Sequence, residues 1–190
     1  EQTVGLTDVS LEFSRPSVKG RELFVDVESF GKIWRTGANA STKISFSDDV
    51  MLEGNKVPAG TYALYSIPGE ETWTIMLYKD LTLGGYVGNY DKEQELVRFE
   101  VKAEMAPTSV ETFFIMIDEI TYNSAEISLQ WGNYRAPFKL EVMTDEMVME
   151  SIDQALGGPS AGDYYAAAAY YYETGKDMNK ALKWVQKANT

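Results

Sequence analysis

Asp8-Val9-Ser10-Leu11-Glu12-Phe13-Ser14-Arg15-Pro16 decides the fold class. Val9, Leu11 and Phe13 alternate with Ser10, Glu12 and Ser14, which places the apolar three on one face of a strand, because successive strand side chains point to opposite faces. Pro16 stops the strand, having no amide to give to a ladder. The same period recurs in Ile44 and Phe46, in Val50 and Leu52, in Trp73, Ile75 and Leu77, in Val97, Phe99 and Val101, and in Ala125, Ile127, Leu129 and Trp131. Turn signals divide these runs: Glu53-Gly54-Asn55-Lys56 reads as a hairpin, Ile67-Pro68-Gly69 closes a strand, and Tyr122-Asn123-Ser124 separates two more.

The pattern predicts about nine short strands with no helix of ordinary length between them. Such an order pairs antiparallel, so the expected fold is mainly β: an antiparallel β-sandwich, jelly-roll-like, over residues 1–142. A Rossmann-type nucleotide site is not expected. The segment from Val110 to Ile120, with Phe113 to Ile117 apolar in succession, lacks alternation and reads as a central strand buried on both faces.

After Val142 the spacing becomes helical, and residues 143–190 read as an α-helical appendage. Asp145 to Leu156 has helical periodicity, with Thr144 as its cap and Gly157-Gly158-Pro159 as its stop. Ser160 opens a second helix through Glu173, ended by Gly175, and Met178 to Ala188 forms a third.

Composition limits the chemistry. The 190 residues contain no histidine and no cysteine, which removes Ser-His-Asp and Cys-His nucleophiles, thiol redox pairs and zinc sites of nitrogen and sulfur ligands. A net charge of -12 argues against nucleic acid, which needs a concentrated basic face. No apolar run is long enough to span a bilayer. Glu1 stands where an initiator Met would, and the expectation is a removed export leader and a periplasmic or secreted protein.

Whole motifs carry a family likeness. Ser14-Arg15-Pro16-Ser17-Val18-Lys19-Gly20-Arg21, then Gly31-Lys32-Ile33-Trp34-Arg35-Thr36-Gly37-Ala38-Asn39, then Val57-Pro58-Ala59-Gly60-Thr61-Tyr62-Ala63-Leu64, and finally Asp118-Glu119-Ile120-Thr121 with Asn123-Ser124-Ala125, resemble the bacterial Domain of Unknown Function 2911 family over roughly residues 3–142. The resemblance implies an exported protein and supplies no catalytic residues. The tail, through Tyr164, Ala168, Tyr171, Gly175, Ala181 and Trp184, looks like one tetratricopeptide-type hairpin. A single repeat cannot bury its own apolar face, so the hairpin is expected to pack on the β domain, on a protein partner or second copy through 160–190, or on further repeats outside this chain.

The glycine-bounded loop from Gly31 to Asn39 is the first candidate site. Trp34 would offer a flat apolar face to a glycan or other small molecule, with Arg35, Thr36 and Asn39 as polar contacts. The alternative is structural: Trp34 plugs the sandwich and Arg35 pins the loop. Arg15, Lys19 and Arg21 form a basic cluster that either pairs with surface carboxylates of this acidic chain, the favoured reading, or binds an anion and surrounds the same pocket if the two loops converge. Tyr62, after Pro58 and Gly60, either faces that pocket or simply shapes the strand entry. Asn89, Asp91, Glu93 and Glu95 lack the glycine and spacing of a calcium loop, so no metal and no cofactor is expected. The reading is a ligand-binding or scaffolding module, with no catalytic residue assigned. Its rivals are a carbohydrate-active hydrolase with two carboxylates, as Asp, Glu pairs permit in principle, and a protein-interaction module acting through the tail.

Overall fold

In the computed structural model, which describes residues 1–189, the chain forms ten strands followed by three helices. The strands are β1 (Gln2–Val4), β2 (Thr7–Glu12), β3 (Thr42–Phe46), β4 (Val50–Leu52), β5 (Asn55–Val57), β6 (Gly60–Ile67), β7 (Thr72–Tyr78), β8 (Glu95–Lys102), β9 (Glu104–Asp118) and β10 (Ser124–Val142). They make a six-stranded sheet in the order β1-β2-β3-β6-β7-β8 and a four-stranded sheet in the order β5-β4-β10-β9. Every pairing within these sheets is antiparallel.

The alternating residues behave as their pattern demands. Val9, Ile44, Trp73, Ile75 and Leu77 of the larger sheet share one buried cluster with Leu52, Ile127, Leu129 and Trp131 of the smaller. The sheets therefore close on each other as the two layers of a sandwich. The β4–β5 hairpin turns on Glu53 and Gly54, both left-handed with φ of 44° and 74°, the geometry that a two-residue turn between twisted strands requires.

β10 is not straight. A straight 19-residue strand would run about 60 Å, yet the Val142 amide donates to the Asn123 carbonyl at 2.9 Å. The strand doubles back near Gly132, whose φ is 57°. Residues from Glu126 to Arg135 pair with β9, with register shifts on either side of Gly132, and the last three residues pair with β4, so one element fills the middle of the smaller sheet.

That arrangement corrects the reading of Val110 to Ile120. These residues lie in or just after β9, an edge strand, in which Phe113 and Ile115 are buried and Met116 is exposed. The apolar run is divided between two faces rather than sealed on both. The free edge is covered by the chain just after β2: Ser17 bridges Thr112, Val18 donates to the Glu111 carbonyl, and Phe113 donates to the Pro16 carbonyl, both bonds 2.9 Å. Such coverage keeps an edge from pairing with other chains. The strands buried on both faces are β6 and β7. Their outward residues Ala63, Tyr65, Met76 and Tyr78 form a second small core, covered by Ile33, Leu83, Val87 and Tyr90.

Residues 1–144 and the described residues from 145 onward form two compact units. The second holds most of α1 (Thr144–Leu156), with α2 (Ala161–Glu173) and α3 (Met178–Ala188). Thr144 is the first residue of α1 rather than a cap outside it. Ser160 and Asp163 form a capping box on α2, and Asp177 caps α3 through the amides of Asn179 and Lys180. Tyr171 meets Trp184 edge-on at 4.8 Å, and Ala168 and Ala181 are buried where α2 and α3 approach. Among the described residues no helix is long and apolar enough to cross a membrane.

Candidate functional site

Trp34 lies inside the sandwich, 2% exposed. Its backbone exchanges two hydrogen bonds with Ser66, at 2.7 and 2.9 Å, which draws the loop across β6. Its indole N–H donates to the Gly37 carbonyl at 2.9 Å, and its ring stacks on Trp131 and meets Phe113 and Trp73 edge-on. The expectation of a ligand platform at Trp34 is therefore corrected: a ring packed on Trp131, Trp73 and Phe113 has no face to offer, and the residue plugs the core. Thr36 is likewise buried, with φ of 54°, a conformation costly for a β-branched residue. It is held by a 2.9 Å bond to the Ser66 hydroxyl and by the Thr42 hydroxyl on its own carbonyl at 2.6 Å.

Arg35 points away from the core toward the loop after β7. Its Nη1 lies 3.5 Å from the Gly85 carbonyl, and its charge faces Glu28. Burial of the Glu28 carboxyl raises its pKa above the usual glutamate value, and the Arg35 charge only partly opposes this. Asn39 is exposed and reaches the Ser14 hydroxyl at 3.3 Å, while the Ala38 amide donates to the Ser14 carbonyl. The two motif loops thus meet at Ser14.

Their cations do not converge. Arg15 donates through Nε to the Phe113 carbonyl at 2.9 Å. Arg21 folds back on the Val18 and Ser17 carbonyls at 2.9 and 2.7 Å. Lys19 has φ of 53°, and its amide donates to the Glu111 carboxylate. Tyr62 donates to the Pro58 carbonyl at 2.9 Å and braces the turn into β6. These side chains mainly tie backbone to backbone, so the basic pocket around Trp34 does not form.

A cleft forms instead where the Ser14–Arg21 motif crosses β9 and the bend of β10. It encloses about 460 Å³, with Val18, Arg21 and Leu23 on one side, Ser109 and Glu111 on another, and Asn133 and Tyr134 at the β10 bend. Tyr134 is held rigidly: Phe24 and Phe30 meet its ring edge-on at 5.2 and 5.5 Å. Phe24 in turn packs against Trp131 and Trp73. Trp34 thus supports the cleft from beneath, two rings removed from Tyr134. Of the sequence candidates only Arg21 lines this cleft. Ser109, Glu111, Asn133 and Tyr134 escaped sequence reasoning, although Gly132-Asn133 between apolar runs is a hairpin signal that marks the bend.

A second cavity, of about 340 Å³, has Ala125 and Phe138 among its lining residues, with Glu53, Glu119, Glu126 and Lys139. Two of its carboxylates have structural partners: Glu53 accepts the Lys139 amide at 2.6 Å, and Glu126 is ion-paired with Arg135. Among the described residues no group of three or more acidic side chains is arranged to hold a metal ion. Asp91 caps a short 3-10 turn, and Glu95 forms a two-point ion pair with Arg98. Arg98 holds the Glu95 carboxyl below the usual glutamate range. Burial, and next the Glu95 charge, raise the pKa of the neighbouring Tyr90 hydroxyl.

A family model described as a protein of unknown function (DUF2911) matches residues 1–140. No curated protein and no solved structure matches the chain.

Proposed function

The chain belongs to the DUF2911 family, and from that premise we propose that it is an extracytoplasmic ligand-binding module whose site is the cleft between the Arg21 segment and the β10 bend. One observation carries the reading: the cleft sets a rigidly packed aromatic, Tyr134, beside polar groups of both signs, Arg21 and Glu111, with the amide of Asn133 at the bend. An aromatic face with hydroxyl, amide and charged neighbours suits a small polyhydroxylated ligand, a glycan fragment above all. Extracytoplasmic placement rests on the family likeness alone.

The test is a thermal-shift screen of cell-envelope glycans and small polyols, since a ligand of the native state must raise apparent stability. Asn133→Ala and Tyr134→Ala are expected to abolish the shift. A shift that survives both substitutions would place binding elsewhere. The second cavity favours a hydrolase reading through its acidic rim, in which the two carboxylates that such chemistry needs would be Glu119 and either Glu53 or Glu126 released from its partner. Release of sugar from a chromogenic glycoside, lost in Glu119→Gln, would establish that reading over the first.

A further inference from the structure

The helical unit presents two complementary apolar surfaces at once. Between α2 and α3 runs a groove of about 420 Å³, walled by Tyr165, Tyr172, Met178 and Leu182 over a floor that includes Ala168 and Ala181. The walls are 46%, 71%, 49% and 57% exposed. Alanines on the floor let another helix come close, and the larger side chains along the rim would hold its ridge.

α1 has the form such a groove accepts. At 100° per residue, Val148, Met149, Ile152 and Leu156 fall within one stripe about a quarter-turn wide, and Glu146, Glu150 and Asp153 fall together on the adjoining flank. All four apolar residues of the stripe are exposed. Charge matches as well as shape. The α1 segment 144–156 has four carboxylates and no cation, while residues 161–189 have four lysines against three carboxylates.

We propose that the helical unit is a homodimerisation device in which α1 of each copy lies in the α2–α3 groove of the other. One chain carries both the ridge and the groove, so a two-fold axis satisfies both copies with the same contact made twice, the requirement of an isologous interface. Lys183, exposed on α3 next to the groove residue Leu182, is the cation that would meet the acidic flank of the incoming helix. Lys180 and Lys187 lie over the aromatic rings of Tyr171, Trp184 and Tyr164, on the opposite side of the hairpin.

Light scattering after size exclusion is expected to give twice the 21.3 kDa chain mass, falling to one chain mass in Leu182→Glu and equally in Ile152→Glu. Both positions are exposed, and unchanged far-ultraviolet dichroism will verify that the helices persist. Because the chain has no cysteine, an equimolar mixture of Ile152→Cys and Leu182→Cys proteins should join through a short bismaleimide into a dimer. A wild-type chain that stays at single mass overturns the proposal. So does a dimer indifferent to both substitutions, or a cross-link that forms only within one chain carrying both cysteines.

Discussion

Trp34 and Trp131 stack with ring centroids 5.5 Å apart and planes inclined by 20°, joining the motif loop to the strand that bends at the cleft. The stack ties a loop of the larger sheet to the middle of the smaller one. It explains why the most distinctive residue of the sequence is buried rather than offered to solvent.

Replacing Trp34 with Ala is expected to cost about 3–5 kcal/mol of stability. Trp34→Phe isolates the polar part, since it leaves the Gly37 carbonyl without the indole N–H, a loss of about 1–3 kcal/mol beyond the change in packing. Trp73 is also fully buried, but among the described residues its indole N–H has no hydrogen-bond partner. Trp73→Phe should therefore cost less than Trp34→Phe in chemical denaturation.

Two glycines should respond differently to a methyl group. A Cβ on Gly37 would lie 2.9 Å from the Ser14 carbonyl oxygen and from the Thr42 hydroxyl, so Gly37→Ala forces the two motif loops apart at about 1–3 kcal/mol. The three atoms nearest a Cβ on Gly85 all belong to the Arg35 side chain, from Nη1 inward to Cδ at 3.0 Å. The side chain must shift along its length and give up its contact with the Gly85 carbonyl, so Gly85→Ala should cost about 0.5–1 kcal/mol, less than Gly37→Ala.

The Glu95–Arg98 pair gives a pH signature. The folded-state pKa of Glu95 is lowered, chiefly by the Arg98 hydrogen bonds, so its stabilisation is present above the unfolded glutamate value of about 4.3. It is lost as pH falls through the depressed folded value. Arg98→Met should cost about 1 kcal/mol near neutrality, a figure reduced for the partial exposure of the pair. The difference from wild type should vanish in acid, as read from urea unfolding at each pH.

Ser160→Ala removes the hydroxyl that accepts the Asp163 amide at 3.2 Å. A loss of about 1 kcal/mol is expected in the α2–α3 hairpin. Amide exchange should quicken across residues 161–173 and leave β6 and β7 unchanged.

Much of this was legible in the sequence, for physical reasons that differ by element. Alternation fixed the inward faces of β3 and β4, because a half-buried strand has no other way to segregate its residues, and in β7 it marked the inward Trp73, Ile75 and Leu77 without showing that Met76 and Tyr78 are buried on the other face. Glu53-Gly54 and Ser160 announced a turn and a helix start through backbone needs that are local. Trp34 was ambiguous, since a glycine-bounded loop reads the same whether its aromatic points in or out. The Ser66 pairing that turns it inward lies 32 residues away in the sequence. The Phe113–Ile117 run misled because an edge strand with a covering segment carries apolar residues on both faces, as a central strand does. The cleft was invisible because its walls come from three distant stretches, brought together by the fold of β10.

Placement of the four tryptophans gives the molecule its own optical readout. Trp34, Trp73 and Trp131 are sealed in the sandwich core, whereas Trp184 belongs to the helical hairpin beneath Lys180. Trp184→Phe therefore leaves an emission spectrum that reports melting of the β unit alone, and subtracting it from wild type recovers the hairpin. The near-parallel indoles of Trp34 and Trp131 should add a coupled near-ultraviolet dichroism band that disappears when the two sheets part.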